Sequence, residues 1–278
     1  MADPTITRPT RSLAGKVAII TGAGSEGDGI GNGRAAAILL AEVGCAVACV
    51  DFDLARAQRT VSMIESEGHG KALALSGDIT SEDTCKSIVE KTLEAWGRVD
   101  VLVNNVGGLG GRGTAVEVEM ETWAKGMELN VGSMVMMAKH AIPAMLKNEP
   151  TPVCQYRGAI VNMASVAGLR GGTPHLLYPT AKGAVVNMTR AMAAHHAAEG
   201  IRVNCVCPGM LYTPMMYGQG MSEEMRAARK ERSLLKTEGN GWDAGSAIRF
   251  LATDESRWIT GIALPVDAGA TSAVMLGE

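Results

Sequence analysis

The sequence predicts a doubly wound parallel α/β sheet in a single domain, and three observations carry that expectation. Seven short runs, "KVAIIT", "AVACVD", "KALALSGD", "VDVLVNN", "GAIVNMAS", "IRVNCVCPG" and "ALPVD", are separated by stretches of helical character. The runs are apolar throughout rather than at alternate residues, as strands buried on both faces of a parallel sheet require. Unusual polar and glycine residues gather just past the ends of these runs, at Gly22 onward, Asp51, Asp78, Asn104 and Asn105, Ser165, and Pro208 with Gly209. Ligands of such sheets bind beyond the carboxyl ends of the strands.

In chain order, helices are expected at 34–43, 54–67, 82–96, 120–147, 179–199, 222–230 and 243–253. Residues 1–12 form an arm and 13–278 one Rossmann-type domain, since no repeat, low-complexity block or linker divides the chain. The proline-containing 148–157 reads as a surface loop. The stretch around 209–240 follows the sixth strand and reads as a substrate lid, with Gly218 and Gly220 as hinge candidates.

Composition narrows the function. With 26 basic and 29 acidic residues the net charge is −3, which leaves no footprint for nucleic acid. The one dense basic cluster, "RAARKER" at 226–232, alternates with Ala and Glu as a solvated helix face does. Six cysteines, at 45, 49, 85, 154, 205 and 207, lack paired C-x-x-C spacing and mostly sit in apolar stretches. They read as buried hydrophobes in a reducing compartment, so a cytoplasmic protein is expected. The N-terminal residues lack the apolar core of a signal peptide, and no run approaches the roughly 20 apolar residues that cross a bilayer. His140, His175, His195 and His196 have no partners at ligand spacing, so no metal site is expected.

The first turn, "TGAGSEGDGIGNG", poses a question of register. Gly22, Gly24 and Gly27 fit G-x-G-x-x-G, but Asp28 to Gly33 is a poor helix start. A dinucleotide turn needs one glycine where the chain leaves the strand and another where the helix packs on the sheet, with free amides facing pyrophosphate. Gly22 meets the first need; counting back from a helix near Arg34, Gly31 and Gly33 meet the second. Asp51 lies 18 residues beyond Gly33, near the ~20 at which an acidic residue reaches the adenosine ribose. Much of "SEGDG" is then an insertion, and either Gly29 or Gly31 makes the closest approach to phosphate.

At this point the chain resembles the short-chain dehydrogenase/reductase family from Leu13 to about Asp267. The likeness rests on "TGAGS" and "GIGNG", Asp51, "GDI" at 77–79, "NNVGG" at 104–108, Asn130, Ser165, "YPTAK" at 178–182 and "PGMLYT" at 208–213. Two departures, the lengthened loop and Val106 in place of the usual Ala, bear on cofactor fit. The resemblance implies that Ser165 orients the substrate oxygen, Tyr178 exchanges the proton, Lys182 holds the nicotinamide ribose, and Asn130 secures a water joining the lysine to solvent. It further implies a cofactor-facing set of Gly22, Ser25, Gly29, Ile30, Gly31, Asn32, Gly33, Asp51, Phe52, Asp78 and Ile79. That set continues through Asn105, Val106, Gly107, Tyr178, Lys182, Pro208, Gly209, Leu211 and Thr213.

Independently of the family, Tyr178 and Lys182 stand four apart and share a helix face. An ammonium beside a phenol favours the phenolate, so Lys182 is expected to lower the Tyr178 pKa. The expected activity is interconversion of a secondary alcohol and a ketone, with NAD preferred over NADP. Asp51 would repel an added phosphate, Phe52 stands where an arginine would welcome one, and Glu26 and Asp28 add negative charge on a bulge expected to face solvent. A cofactor-sensing or catalytically repurposed protein on the same fold is the alternative. The Met- and Tyr-rich lid favours an apolar or ring-bearing alcohol, or else packs on a neighbouring subunit. Arg112 and Arg170 near the pocket mouth are carboxylate candidates whose simpler role is exposure to solvent. The apolar helices 120–147 and 180–199 point to a homo-oligomer, a tetramer as is common in the family, or a dimer. Asp100 and Asp267 read as structural groups at strand ends.

Overall fold

A computed structural model describes residues 8–68, 70–150, 156–218 and 220–273. Cys154, most of the N-terminal arm and part of the 148–157 loop lie outside the described residues. Seven parallel strands form one sheet in the order β3-β2-β1-β4-β5-β6-β7. They are β1 Val17–Thr21, β2 Ala46–Asp51, β3 Lys71–Ser76, β4 Val101–Asn104, β5 Gly158–Met163, β6 Ile201–Pro208 and β7 Ala263–Val266. Strand order reverses between β1 and β4, which opens a crevice beyond their carboxyl ends.

Pleating sends neighbouring side chains to opposite layers, so Ile19 and Ile20 are both fully buried yet belong to different cores. On one face Ile20, Val47 and Val103 pack against α1 (Asn32–Glu42), α2 (Leu54–Ser66) and α9 (Gly241–Ala252). On the other, Ile19, Val50 and Leu102 meet α3 (Glu82–Trp96) and α5 (Ser133–Met145). Small residues set the closest approach: a Cβ on Gly245 of α9 would stand 2.9 Å from Ala35 Cβ of α1. Helix ends follow the sequence, with the Ser81 hydroxyl accepting from Thr84 N, Gly97 closing α3 in the left-handed region, and a capping box between Asn240 and Asp243.

Three elements differ from expectation. The α1 helix starts at Asn32 instead of Arg34, because Gly31 in an extended conformation supplies the cap position. The stretch expected as one helix over 120–147 is divided into α4 (Met120–Met127), a π-helical turn (Glu128–Gly132) and α5. The lid carries a short α7 (Pro214–Tyr217), with proline at the first helical position, ahead of α8 (Glu223–Lys230). The long helix α6 (Leu177–His196) follows the β5 loop and begins at Leu177. The described cysteines, Cys45, Cys49, Cys85, Cys205 and Cys207, are buried and unpaired, and burial pushes the Cys49 thiol up to about 12. Among the described residues no helix is long and apolar enough to cross a membrane, and no group of three His, Cys, Asp or Glu could hold a metal ion.

Candidate active site

The sheet brings the two parts of the expected site to one crevice. At the end of β1, Gly22 takes a φ of +66°, and its carbonyl accepts from the Asn105 side chain at 3.0 Å. A Cβ on Gly33 would fall on the Gly22 carbonyl oxygen, so glycine at 33 lets α1 press against the turn. The first amides of α1 have no intrahelical acceptor, which is the general condition of a helix start, and the buried Asn32 Oδ1 has no partner among the described residues.

The inserted loop is organised by a residue that motif reading passed over. Arg34 is fully buried, and its guanidinium donates to the carbonyls of Gly27 and Gly29, each at 2.7 Å, to the Ser25 carbonyl at 3.1 Å and to Thr60 Oγ1 at 3.0 Å. Burial lowers its pKa below the usual arginine value. No local sequence signal marks it, since an arginine in a first helical turn ordinarily faces water.

Two expectations about charge are corrected. Asp28 is paired with Arg59 at 2.6 Å, so the insertion carries less free negative charge than its sequence suggests. Glu26 is exposed, yet its carboxylate lies against Gly218 of the lid, where an added Cβ would meet Oε2 at 2.8 Å. A Cβ on Gly29 would likewise run into Pro214, so the lengthened loop and the lid are in contact.

Asp51 ends β2 with one carboxylate oxygen accepting from Gly24 N at 2.9 Å and the other from Asp53 N at 3.1 Å. Phe52 beside it is 79% exposed. Arg56, on the adjoining turn of α2, sits 3.5 Å from Asp53. Asp78 is exposed and folds its carboxylate onto Thr80, whereas the Ile79 side chain packs into the core, leaving only its backbone to face a ligand. Val106 packs at the edge of the same core, Leu211 is buried in the opposite one, and Thr213 caps α7. Gly209 fits under Asp267, from which an added Cβ would stand 2.7 Å. Asp267 holds the amides of Gly269 and Thr271, and Asp100 is tied to Val17 N, Lys16 and Arg98, so both are structural groups.

On the other side of the crevice, Ser165 caps a short helical turn after β5, its hydroxyl accepting from Ala167 N at 3.1 Å. Gly168 ends that turn where a Cβ would fall on the Lys182 backbone, so glycine here docks the serine loop on α6. Lys182 is only 2% exposed and donates to the Met163 carbonyl at 2.9 Å. Its Nζ stands 5.8 Å from the centre of the Tyr178 ring. Gly107 sits between Lys182 and Asn130; a Cβ there would stand 2.7 Å from Nζ and 2.8 Å from Asn130 Oδ1. The π-helical turn explains how Asn130 is held. Widening the helix frees the Gly126 carbonyl to accept from Asn130 Nδ2 at 2.9 Å, while Oδ1 takes the Gly108 amide at 3.2 Å.

The expected lowering of the Tyr178 pKa is not what the chain alone produces. Burial raises it above the ordinary tyrosine value, opposed by the nearby Ser165 side chain. Burial also brings Lys182 down to about 8. Desolvation penalises both charged forms, and the Lys182 ammonium is turned toward the Met163 carbonyl instead of the phenol oxygen.

A glycine turn after β1, an acidic end to β2 and a Ser, Tyr, Lys and Asn group at one crevice fit an oxidoreductase-type Rossmann protein that works with a nicotinamide dinucleotide. Residues 25–271 match the family described as Enoyl-(Acyl carrier protein) reductase. The chain is 34% identical to meso-2,3-butanediol dehydrogenase of Serratia marcescens over 93% of its length and 95% of that protein. Identity is also 34% to cis-4-hydroxycyclohexanecarboxylate dehydrogenase of Sinomonas cyclohexanicum, over 94% of this chain and 98% of that one. A solved short-chain dehydrogenase/reductase from Burkholderia xenovorans superposes with a TM-score of 0.86 at 37% identity, covering 95% of this chain and 99% of that one. The protein belongs to the short-chain dehydrogenase/reductase family of oxidoreductases, whose members work with NAD or NADP.

Proposed function

We propose that the protein is an NAD-preferring dehydrogenase of a secondary alcohol with an apolar or cyclic body, acting through Tyr178. The observation that carries this reading is the grouping of a half-buried Tyr178 with Ser165 and the buried Lys182, with Asn130 and Gly107 closing the far side of the lysine. A bound nicotinamide supplies the acceptor or donor of hydride. Ser165 orients the substrate oxygen, and the Tyr178 hydroxyl gives or takes the proton at that oxygen. Lys182 binds the ribose, and Asn130 keeps the lysine linked to solvent. A phenol whose pKa is raised is protonated at neutral pH, which suits donation to a ketone; oxidation then gains as pH rises.

Asp51 supports the NAD preference, because an added ribose phosphate would meet its carboxylate. The neighbouring guanidiniums offer little compensation, since Arg34 is buried against the loop carbonyls, Arg59 is paired with Asp28 and Arg56 lies beside Asp53. The cyclic substrate class is supported by the Met- and Tyr-rich lid and by the cyclic alcohol in the name of the Sinomonas relative. A homo-oligomer, tetramer or dimer, is supported by the half-exposed Met188 and Met192 of α6 and the exposed Val135 of α5.

The deciding experiment is a panel of neutral and carboxylate-bearing secondary alcohols and ketones, followed by the absorbance of reduced cofactor with NAD and with NADP. Turnover of a cyclic alcohol with NAD is expected. Cofactor binding without turnover of any member would point instead to a sensor. Sedimentation at micromolar concentration is expected to show an oligomer, and a monomer alone would remove that part of the reading.

A further inference from the structure

Beyond the carboxyl ends of β6 and β7 lies a cavity of about 240 Å3, roofed by α8 and the chain that follows it. Neither Ser165, Tyr178 nor Lys182 lines it. Its walls include apolar Leu211 and Val266, and Arg229, Lys230 and Arg232 of the "RAARKER" cluster. The cluster alternates as a solvated helix face does, yet α8 turns the half-buried Arg229 into the cavity.

The lining holds three basic and three acidic side chains, but among the described residues Arg229 and Arg232 stand outside the ion pairs formed there. Three carboxylates also line the cavity, and each is already engaged. Glu238 is held by Arg226 at 2.7 Å, Asp243 by the Asn240 amide at 2.7 Å, and Asp267 by the amides of Gly269 and Thr271. By contrast, among the described residues Arg229 donates only to the Leu211 carbonyl, at 3.2 Å, and Arg232 only to the Met210 sulfur, at 3.9 Å. Among the described residues neither guanidinium has a carboxylate partner within 4.0 Å. Burial first, and then the neighbouring Arg232 charge, lower the Arg229 pKa below the usual arginine value, against a smaller raising by the Glu238 charge. Two like charges held together beside a partly apolar cavity are relieved by one anion that accepts from both, and guanidinium donors match the geometry of carboxylate and phosphate.

We propose that this cavity is an oxyanion subsite, in which Arg229 and Arg232 bind the carboxylate or phosphate of a small organic anion while Leu211 and Val266 contact its apolar part. The anion is either the charged tail of a substrate that enters from the crevice or a separate free anion. The first case rests on the dehydrogenase reading above; the second does not.

Calorimetric titration with inorganic phosphate and with cyclohexanecarboxylate, at constant ionic strength in chloride, tests the site without turnover. Saturable binding is expected for the wild type. Arg229→Gln is expected to weaken it at least ~10-fold, Arg232→Gln several-fold, and Lys125→Gln on distant α4 not at all. Arg229→Lys is expected to restore part of the affinity. Because Arg232 is exposed, its variant keeps the test valid if Arg229→Gln fails to fold. No saturable binding to the wild type, or equal binding by the wild type and both arginine variants, overturns the proposal.

The alcohol panel separates the two sources. If the anion is a substrate tail, Arg229→Gln raises KM at least ~10-fold for carboxylate-bearing alcohols, with kcat held within a few-fold and neutral alcohols unaffected. If it is a separate ligand, KM for both classes stays the same in Arg229→Gln while phosphate binding is lost. Failure of the whole panel with phosphate binding intact would count against the dehydrogenase reading and leave the subsite standing.

Discussion

The segment Gly22–Arg34 and the segment Ser165–Lys182 face each other across the crevice and are made from different materials. In the first, the proposed function rests on backbone amides and on side chains that are missing: Gly22 in the left-handed region, Gly33 pressed on the Gly22 carbonyl, and a loop whose carbonyls are gathered by Arg34. In the second it resides in three side chains, with glycines at 107 and 168 making room for them. The difference teaches that the two ends fail in different ways. A changed side chain at the catalytic end should stop chemistry and spare the cofactor, whereas disturbance of the loop should weaken the cofactor and spare chemistry once it is bound.

The largest expected effect is at the catalytic end. Tyr178→Phe should lower turnover by at least ~10²-fold, the usual scale of general acid–base catalysis, with NAD affinity within a few-fold by fluorescence titration. Near-normal turnover would remove Tyr178 from its role. Lys182→Ala joins the two ends, because on the proposed reading it serves the ribose as well as the acid–base group, and should reduce both affinity and rate; a change in rate alone would deny the ribose contact.

Next comes the loop. Arg34→Met keeps a long unbranched side chain in α1 but leaves the Ser25, Gly27 and Gly29 carbonyls without their donor. Thermal unfolding should show a loss of about 2 kcal/mol, in the range for unsatisfied partly buried groups. The NAD dissociation constant should rise ~10-fold or more, with kcat at saturating NAD little changed. An equal fall in kcat with unaltered affinity would erase the contrast between the two ends.

A smaller effect sharpens the nucleotide end further. Wild type should prefer NAD over NADP by at least ~10-fold in kcat/KM, on the order expected for like charges brought close at a partly desolvated site. Asp51→Ala should lose most of that preference. Glu26→Gln should lose little, since Glu26 lies against the lid at Gly218 rather than beside Asp51. Equal use of NADP by the wild type would overturn the role given to Asp51.

The smallest signal is spectroscopic. Because burial raises the Tyr178 pKa, the neutral phenol is favoured in the folded state. That stabilisation is whole below the ordinary tyrosine value of about 10 and is lost as pH rises through the folded pKa. In cofactor-free protein, the tyrosinate absorbance of wild type minus Tyr178→Phe should therefore show no midpoint below pH ~10. A midpoint near neutrality would mean that Lys182 governs the phenol even without cofactor.

What the sequence determined by itself was whatever depends on local pattern. Continuous apolar runs specified the seven strands, whose burial on both faces leaves no alternation to find, and the polar residues placed just after them specified the crevice. Gly22 and Gly33 were legible because a turn and a close packing contact each demand glycine, and Tyr178 and Lys182 because they stand four apart on one helix, whereas Ser165 was marked by its place just after a strand and by the family resemblance. Tertiary structure decided what depends on burial and on partners far along the chain. Arg34 has no local mark, and only the folded loop turns its guanidinium inward. Asn130 required a π-helical turn where periodicity reads as one helix from 120 to 147. The upward shift of Tyr178 and the unpaired Arg229 arise from the same cause: the energy of a charge depends on how much water its surroundings exclude and which partners they supply, and neither is written in neighbouring residues.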